Sequence, residues 1–277
     1  MKYKSPKDFR MGVQEKLKEI AKKEGIDIVH LYRQVAFTQF LARLFREKED
    51  FWILKGGHFL ELRFKEARAT KDVDLAVKDS YFFQDNIENL KEELIKRARI
   101  DLGDFFEFEI LGPKMELTNA PYGGWRFLIN SKIDGKIFSK FDLDIGFGDV
   151  WIEPHDEMEM INHLDFSGFR PVKIKVISVE QCIAEKVHAY TLPREGKTNS
   201  RVKDLVDLYL LIEEGKVDKK ELKIIVHKTF DRRKTHEVPK ELDLPPESWR
   251  DVFKGFEIGV TMEEAYQKVN LFWKMII

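Results

Sequence analysis

Residues 52–63 read Trp52-Ile-Leu-Lys-Gly-Gly-His-Phe-Leu-Glu-Leu-Arg63, and residues 68–77 read Arg68-Ala-Thr-Lys-Asp-Val-Asp-Leu-Ala-Val77. The first stretch is an apolar strand that runs into Gly56-Gly57 and directly on into a helix. Glycines at such a turn let backbone N–H groups approach a phosphate closely at the positive end of the helix. A Gly-Gly pair on its own is more often just a tight strand-to-helix turn. In the second stretch, strand alternation places Thr70, Asp72 and Asp74 on one face and Val73, Leu75 and Val77 on the other. Two neighbouring carboxylates repel unless a cation lies between them, and hard oxygen ligands of this kind suit Mg²⁺. An isolated Asp-x-Asp is more often a solvent-facing strand, so the pair needs a third partner.

That partner is offered downstream by Lys140-Phe-Asp-Leu-Asp-Ile-Gly-Phe-Gly148. Asp142 and Asp144 share a face while Leu143 and Ile145 fill the other, so an adjacent strand presents a carboxylate to the same cation. Asp144 is preferred as the third ligand because the glycines after it end the strand there. Asp142 is the alternative.

Around these motifs, apolar spacing predicts strands at 51–55, 72–77, 105–111, 125–133, 137–145 and 172–176, with one helix over about 86–100. Asp134-Gly135 reads as a hairpin turn, and 119–124 as a second turn. Before this region, Phe9, Val13, Leu17 and Ile20, then Leu31, Val35, Phe37, Leu41, Leu44 and Phe45, mark two amphipathic helices separated by Gly25. After it, helices are expected at 179–192, 201–214, 218–229, 249–256 and 261–275, with Ser178 and Gln181 spelling a capping box. The expected organisation is α+β: N-terminal helices over 1–50 packed on a mixed-sheet core over 51–176, and a C-terminal helical domain over 177–277. The linker is read in either 149–165 or 169–176.

Composition sets the outer limits. The chain has 277 residues, 48 Lys plus Arg and 49 Asp plus Glu, giving a formal net charge of -1. That near-balance argues against gripping nucleic acid along the whole chain, so any basic site is local. The lone cysteine, Cys182, makes neither an internal disulfide nor a cysteine zinc site and fits a reducing compartment. No apolar run approaches the ~20 residues that span a bilayer, and a cytoplasmic location is expected.

The ordered elements, glycine turn, Asp-x-Asp and later strand Asp, resemble the DNA polymerase β-like nucleotidyltransferase superfamily. The strings 54–63 and 68–75 look more narrowly like the first motif of the AbiEii/MenT nucleotidyltransferase toxins. Ala184-Glu-Lys-Val-His-Ala189 and Arg201-Val-Lys-Asp-Leu-Val-Asp-Leu208 resemble two later motifs of that family, in the same order. The interval from Gly57 to Asp72 is longer than is usual in the wider superfamily. The resemblance implies two Mg²⁺ ions, or Mn²⁺, held by Asp72, Asp74 and Asp144, with an NTP as substrate bound between the core and the helical domain. Gly56, Gly57 and Thr70 are then expected at the nucleotide. Lys186 is expected to meet the triphosphate or a site acid, Asp204 and Asp207 to orient it, and Arg201 and Lys203 to add positive charge. It further implies a toxin that modifies RNA, with the tRNA 3′ end as leading acceptor, and a cognate antitoxin. The alternatives are transfer to a protein or small molecule, or nucleotide binding without turnover.

Read physically, Val202, Leu205, Val206 and Tyr209 form the buried stripe of their helix, and Arg201, Lys203, Asp204 and Asp207 lie opposite. The bland reading makes Lys203 and Asp207 a minor surface i,i+4 pair. Lys186, beside an apolar stripe, would ordinarily snorkel, and His188 reads as structural. Basic residues from Lys216 to Lys234 form either a phosphate-binding patch or a solvated helix face. The segment 141–165 contains no Lys or Arg.

Overall fold

The structure is a computed structural model describing residues 3–47, 51–78, 87–117, 120–153, 155–194, 196 and 198–277. Asn86 and Asn119, at the edges of an expected helix and turn, fall outside the described residues. The chain divides into two compact units: residues 1–62, 69–149 and 156–176 form the first, and 63–68, 150–155 and 177–277 the second. No helix among the described residues is long and apolar enough to cross a membrane.

The first unit is α+β. Its helices are α1 (Pro6–Glu24), α2 (Ile28–Leu44), α3 (Gly56–Arg63) and α4 (Ile87–Ala98). Its strands are β1 (Trp52–Lys55), β2 (Asp72–Val77), β3 (Phe106–Glu116), β4 (Gly124–Ile133), β5 (Lys136–Gly146), β6 (Asp156–Glu159) and β7 (Lys173–Val176), in one mixed sheet of order β3-β4-β5-β2-β1-β7-β6. Helix α1 starts on a Ser5 cap that accepts from the Asp8 N–H, and stops at Gly25, whose φ of 70° needs a residue without Cβ. It buries Phe9, Val13 and Leu17. Helix α2 packs on β5, with the Phe37 and Phe40 rings 4.9 and 5.6 Å from that of Phe141. That contact fixes which face of the sheet is apolar. Phe141, Leu143 and Ile145 point to the core, leaving Asp142 and Asp144 on the opposite face.

Two features hold the far side of the sheet in register. Asp134 and Gly135 both take positive φ, 57° and 65°, the pair of left-handed conformations that a two-residue hairpin turn between β4 and β5 demands. Arg43 of α2 and Asp104, both fully buried, pair through two hydrogen bonds of 2.8 and 2.5 Å, and the same guanidinium donates to the Phe106 carbonyl. The expected strand at 105–111 extends to Glu116, with its register shift between Leu111 and Met115. Strand β6, Asp-Glu-Met-Glu, was not expected from its sequence. It is a short acidic edge strand paired only with β7, and it carries no apolar alternation to betray it.

The second unit contains α5 (Val179–Thr191), α6 (Val202–Glu214), α7 (Lys219–Arg233), α8 (Arg250–Lys254) and α9 (Met262–Ile276). The helix expected at 249–256 is a 3₁₀ turn, Glu247–Trp249, followed by the five-residue α8. Ser178 caps α5 by accepting from the Gln181 N–H, but the Gln181 side chain donates to the Val150 carbonyl and to Glu185 instead of closing the box. The full capping box belongs to Thr261 and Glu264 at the start of α9.

Candidate active site

The acids of the first unit meet through sheet register. Strands β2 and β5 are parallel neighbours in which Asp72 faces Asp142 and Asp74 faces Asp144. Lys55 of β1 faces Asp74, and Arg126 of β4 faces Asp144. A single row therefore crosses four strands as Lys55, Asp74, Asp144, Arg126, with Asp72 and Asp142 one step along on the same face. Both sequence candidates for the third carboxylate are on this face. Asp144 is the one beside Asp74, at the end of the sheet where the glycine turn lies.

Gly56 makes that turn close. Its φ is +68°, and a Cβ built on it would overlap the Asp74 carboxylate. The position thus excludes side chains on two independent grounds, conformation and space. Gly57 follows, buried in the first turn of α3. The long interval between Gly57 and Asp72 is used to tie the two motifs together. Glu61, on α3, accepts the Thr70 N–H at 2.6 Å and lies 3.1 Å from His58 Nδ1 and 3.4 Å from His30 Nε2. Arg33 donates to the Thr70 carbonyl at 3.0 Å, and the Thr70 hydroxyl donates to Asp72 Oδ1 at 2.7 Å. Thr70 is 1% exposed, so this residue, expected at the nucleotide, is placed to orient Asp72.

The donor set suits a hard divalent cation: carboxylate oxygens on two adjacent strands, aligned by register, with a glycine cradle against one of them. The side chains do not yet close on a point. Among the described residues no three His, Cys, Asp or Glu side chains form a ready metal cluster. Both Asp144 oxygens accept from Arg126, from Nε to Oδ1 at 2.6 Å and from Nη2 to Oδ2 at 2.5 Å. The hydrogen bond to Asp144 raises the Arg126 pKa further above its already high value. Asp142 lies 3.5 Å from Lys114 and 3.8 Å from Arg126, and Lys55 pairs with Asp149. The run 141–165, free of Lys and Arg in sequence, is thus partly neutralised by cations from other strands.

The second unit holds the other expected residues. Lys186 of α5 donates to Asp207 of α6 at 2.6 Å and to Asp204 at 3.2 Å. Arg68 forks onto Asp207 through Nε at 3.2 Å and Nη2 at 3.1 Å, and Arg201 stands 3.7 Å from Asp204. Asp207 is completely buried, so it is not the surface partner of Lys203 that the bland reading supposed, and Lys203 is exposed. Burial acts to lower the Lys186 pKa, but Asp207 and Asp204 outweigh it and the net shift is upward. The lysine stays charged. Tyr209, expected in the buried stripe of α6, is only half-buried, with Lys268 near its ring.

Sequence reading passed over Arg68, Arg126 and Glu61. Arg68 and Glu61 lie inside the quoted motifs, and for Glu61 an unassigned charge among apolar residues is the available signal. Arg126 carried none, because only the β4–β5 register identifies its partner. His188 is buried, bonded to Thr235 at 2.8 Å and packed 4.9 Å from the Phe230 ring, a structural setting. On α7, Lys219, Lys220, Lys223, Lys228 and Arg232 are exposed.

A mixed sheet with an Asp-x-Asp strand, an aspartate in register on its parallel neighbour and a glycine turn packed on one acid has the architecture of a nucleotidyltransferase. The chain belongs to the AbiEii family, whose sequence profile, described as the nucleotidyl transferase AbiEii toxin of a type IV toxin–antitoxin system, matches residues 39–269. Among solved structures, the chain is similar to MenT4, a nucleotidyltransferase toxin from Mycobacterium tuberculosis H37Rv, with a TM-score of 0.63 and 16% identity over 94% of this chain and 89% of that one. That likeness shows the shared fold. Two Helicobacter pylori structures are more distant: a putative nucleotidyltransferase (TM-score 0.45, 15% identity, 89% and 92% covered) and JHP933 (TM-score 0.48, 12% identity, 89% and 91% covered). No curated protein matches the chain.

Proposed function

We propose that this nucleotidyltransferase moves a nucleoside monophosphate from an NTP to a hydroxyl of RNA, with the tRNA 3′ end as acceptor, using Asp72, Asp74 and Asp144 to hold Mg²⁺ or Mn²⁺. The acceptor oxygen bonds to the α-phosphorus, the bond from that phosphorus to the bridging oxygen breaks, pyrophosphate departs, and the hydroxyl gives up its proton. Bound divalent cations supply acidification of the hydroxyl and charge neutralisation on the phosphates. The observation that carries the reading is the in-register pair Asp74 and Asp144, with the Gly56 backbone turned against the Asp74 carboxylate.

The remaining roles belong to this chain's own groups. Thr70, locked by Glu61 and Arg33, aims Asp72. Gly56 and Gly57 bring backbone N–H groups to phosphate at the first turn of α3. Lys186, with Arg68 and Arg201 as supporting cations, supplies charge for the triphosphate while Asp204 and Asp207 fix its direction. Asp204 and Asp207 act as positioning residues in this reading, and Lys203, exposed on the same helix, adds a further cation. The family implies an antitoxin partner, and a reducing cytosol offers both NTP and RNA.

Induced expression of the wild type beside Asp72→Asn, followed by sequencing of RNA 3′ ends, tests the proposal. Added nucleotides on tRNA ends in the wild type alone are expected. Unaltered RNA ends, with labelled nucleotide recovered in protein or a small molecule, would move the acceptor assignment elsewhere.

A further inference from the structure

Of the four charged groups in the row across β1, β2, β5 and β4, the two cations stand at its ends and the two acids at its centre. Arg126 closes a two-point fork on Asp144 and also lies 3.8 Å from Asp142, and Lys55 pairs with Asp149. A bidentate guanidinium on a carboxylate engages both oxygens at once and partly neutralises the charge they offer to a third partner. Guanidinium does not deprotonate in proteins, so Asp144 is released only by moving Arg126, not by titrating it. The side chain has somewhere to go, being 26% exposed at the edge of the face, while Asp144 is 12% exposed and anchored mid-strand.

We propose that Arg126 is a resident counter-cation that competes with a divalent ion for Asp144, so that Arg126 sets the metal affinity of the nucleotide-free enzyme. The inference rests on the reading of Asp72, Asp74 and Asp144 as the metal-holding acids. With Asp144 forked by Arg126 before nucleotide arrives, the set of metal-holding acids binds weakly. A triphosphate then gives the displaced guanidinium another anion to bond, which couples metal entry to nucleotide entry. The same pairing keeps the acids from repelling one another in the resting protein.

The test is Mn²⁺ binding to the full chain without nucleotide, read by electron paramagnetic resonance of free Mn²⁺, for wild type, Arg126→Gln, Arg126→Lys and Asp72→Asn. Arg126→Gln is expected to tighten Mn²⁺ about tenfold, the low end of what a neighbouring charge does to a carboxylate equilibrium. Arg126→Lys keeps the charge without the fork and is expected to tighten it less. Adding Asp144→Asn to Arg126→Gln is expected to erase the gain. Equal affinity in wild type and both Arg126 variants overturns the inference while the metal reading stands, provided Asp72→Asn still weakens binding. Mn²⁺ binding that ignores Asp72→Asn overturns the metal reading and this inference with it.

Discussion

At Gly56 the backbone is left-handed and the space a side chain would take holds the Asp74 carboxylate. Gly56→Ala is therefore expected to destabilise the first unit by about 1–3 kcal/mol in urea unfolding, the range for a strained backbone position. Transfer activity should fall further than stability, by about 100-fold, because Asp74 must shift and small misplacements of reacting groups are costly. Asp207 gives the second test at this scale. It is fully buried between Lys186 and Arg68, so Asp207→Ala leaves two cations without their main partner, at about 3–5 kcal/mol. Lys186→Met in the same chain should return part of that loss, which thermal unfolding of the single and double variants would measure. The histidines set a pH dependence. Burial lowers the pKa of both His30 and His163. A base with a depressed folded pKa gives stability that is complete above its unfolded value, about 6.5, and is lost as pH falls through the folded one. Stability measured by urea should thus decline between pH 7 and pH 5, with a shallower decline in His163→Gln.

Elements were legible wherever pattern and local chemistry agreed. The span of β2, the Gly25 stop and the Asp134-Gly135 hairpin all follow from alternation or from residues that accept positive φ. Strand β6 was not legible, because an acidic edge strand owes its existence to pairing with β7 rather than to its own apolar face. The capping box was assigned to Ser178, whose sequence spells it, but Gln181 found other acceptors in the Val150 carbonyl and Glu185. Thr261 and Glu264 form the complete box at α9, so Thr261→Ala should cost about 1 kcal/mol in thermal unfolding with transfer activity unchanged.

For the molecule as a whole, the sheet of the first unit carries a carboxylate face, and in the second unit Lys186, Arg68 and Arg201 meet Asp204 and Asp207. The sequence disclosed the carboxylates because strand alternation reports a face directly. It did not disclose what neutralises them, since Arg126 and Lys114 reach the acids by strand pairing that no local spacing encodes. The same holds for Arg68, separated from Asp207 by 139 positions of chain. Transfer driven by the register-aligned acids of β2 and β5 requires both of them. Pyrophosphate release by the purified chain with Mg²⁺, NTPs and total RNA tests it most directly, comparing wild type with Asp74→Asn and Asp144→Asn. Release in the wild type and loss by at least about 100-fold in both folded variants is the expected result. Wild-type release rates in both variants would contradict it.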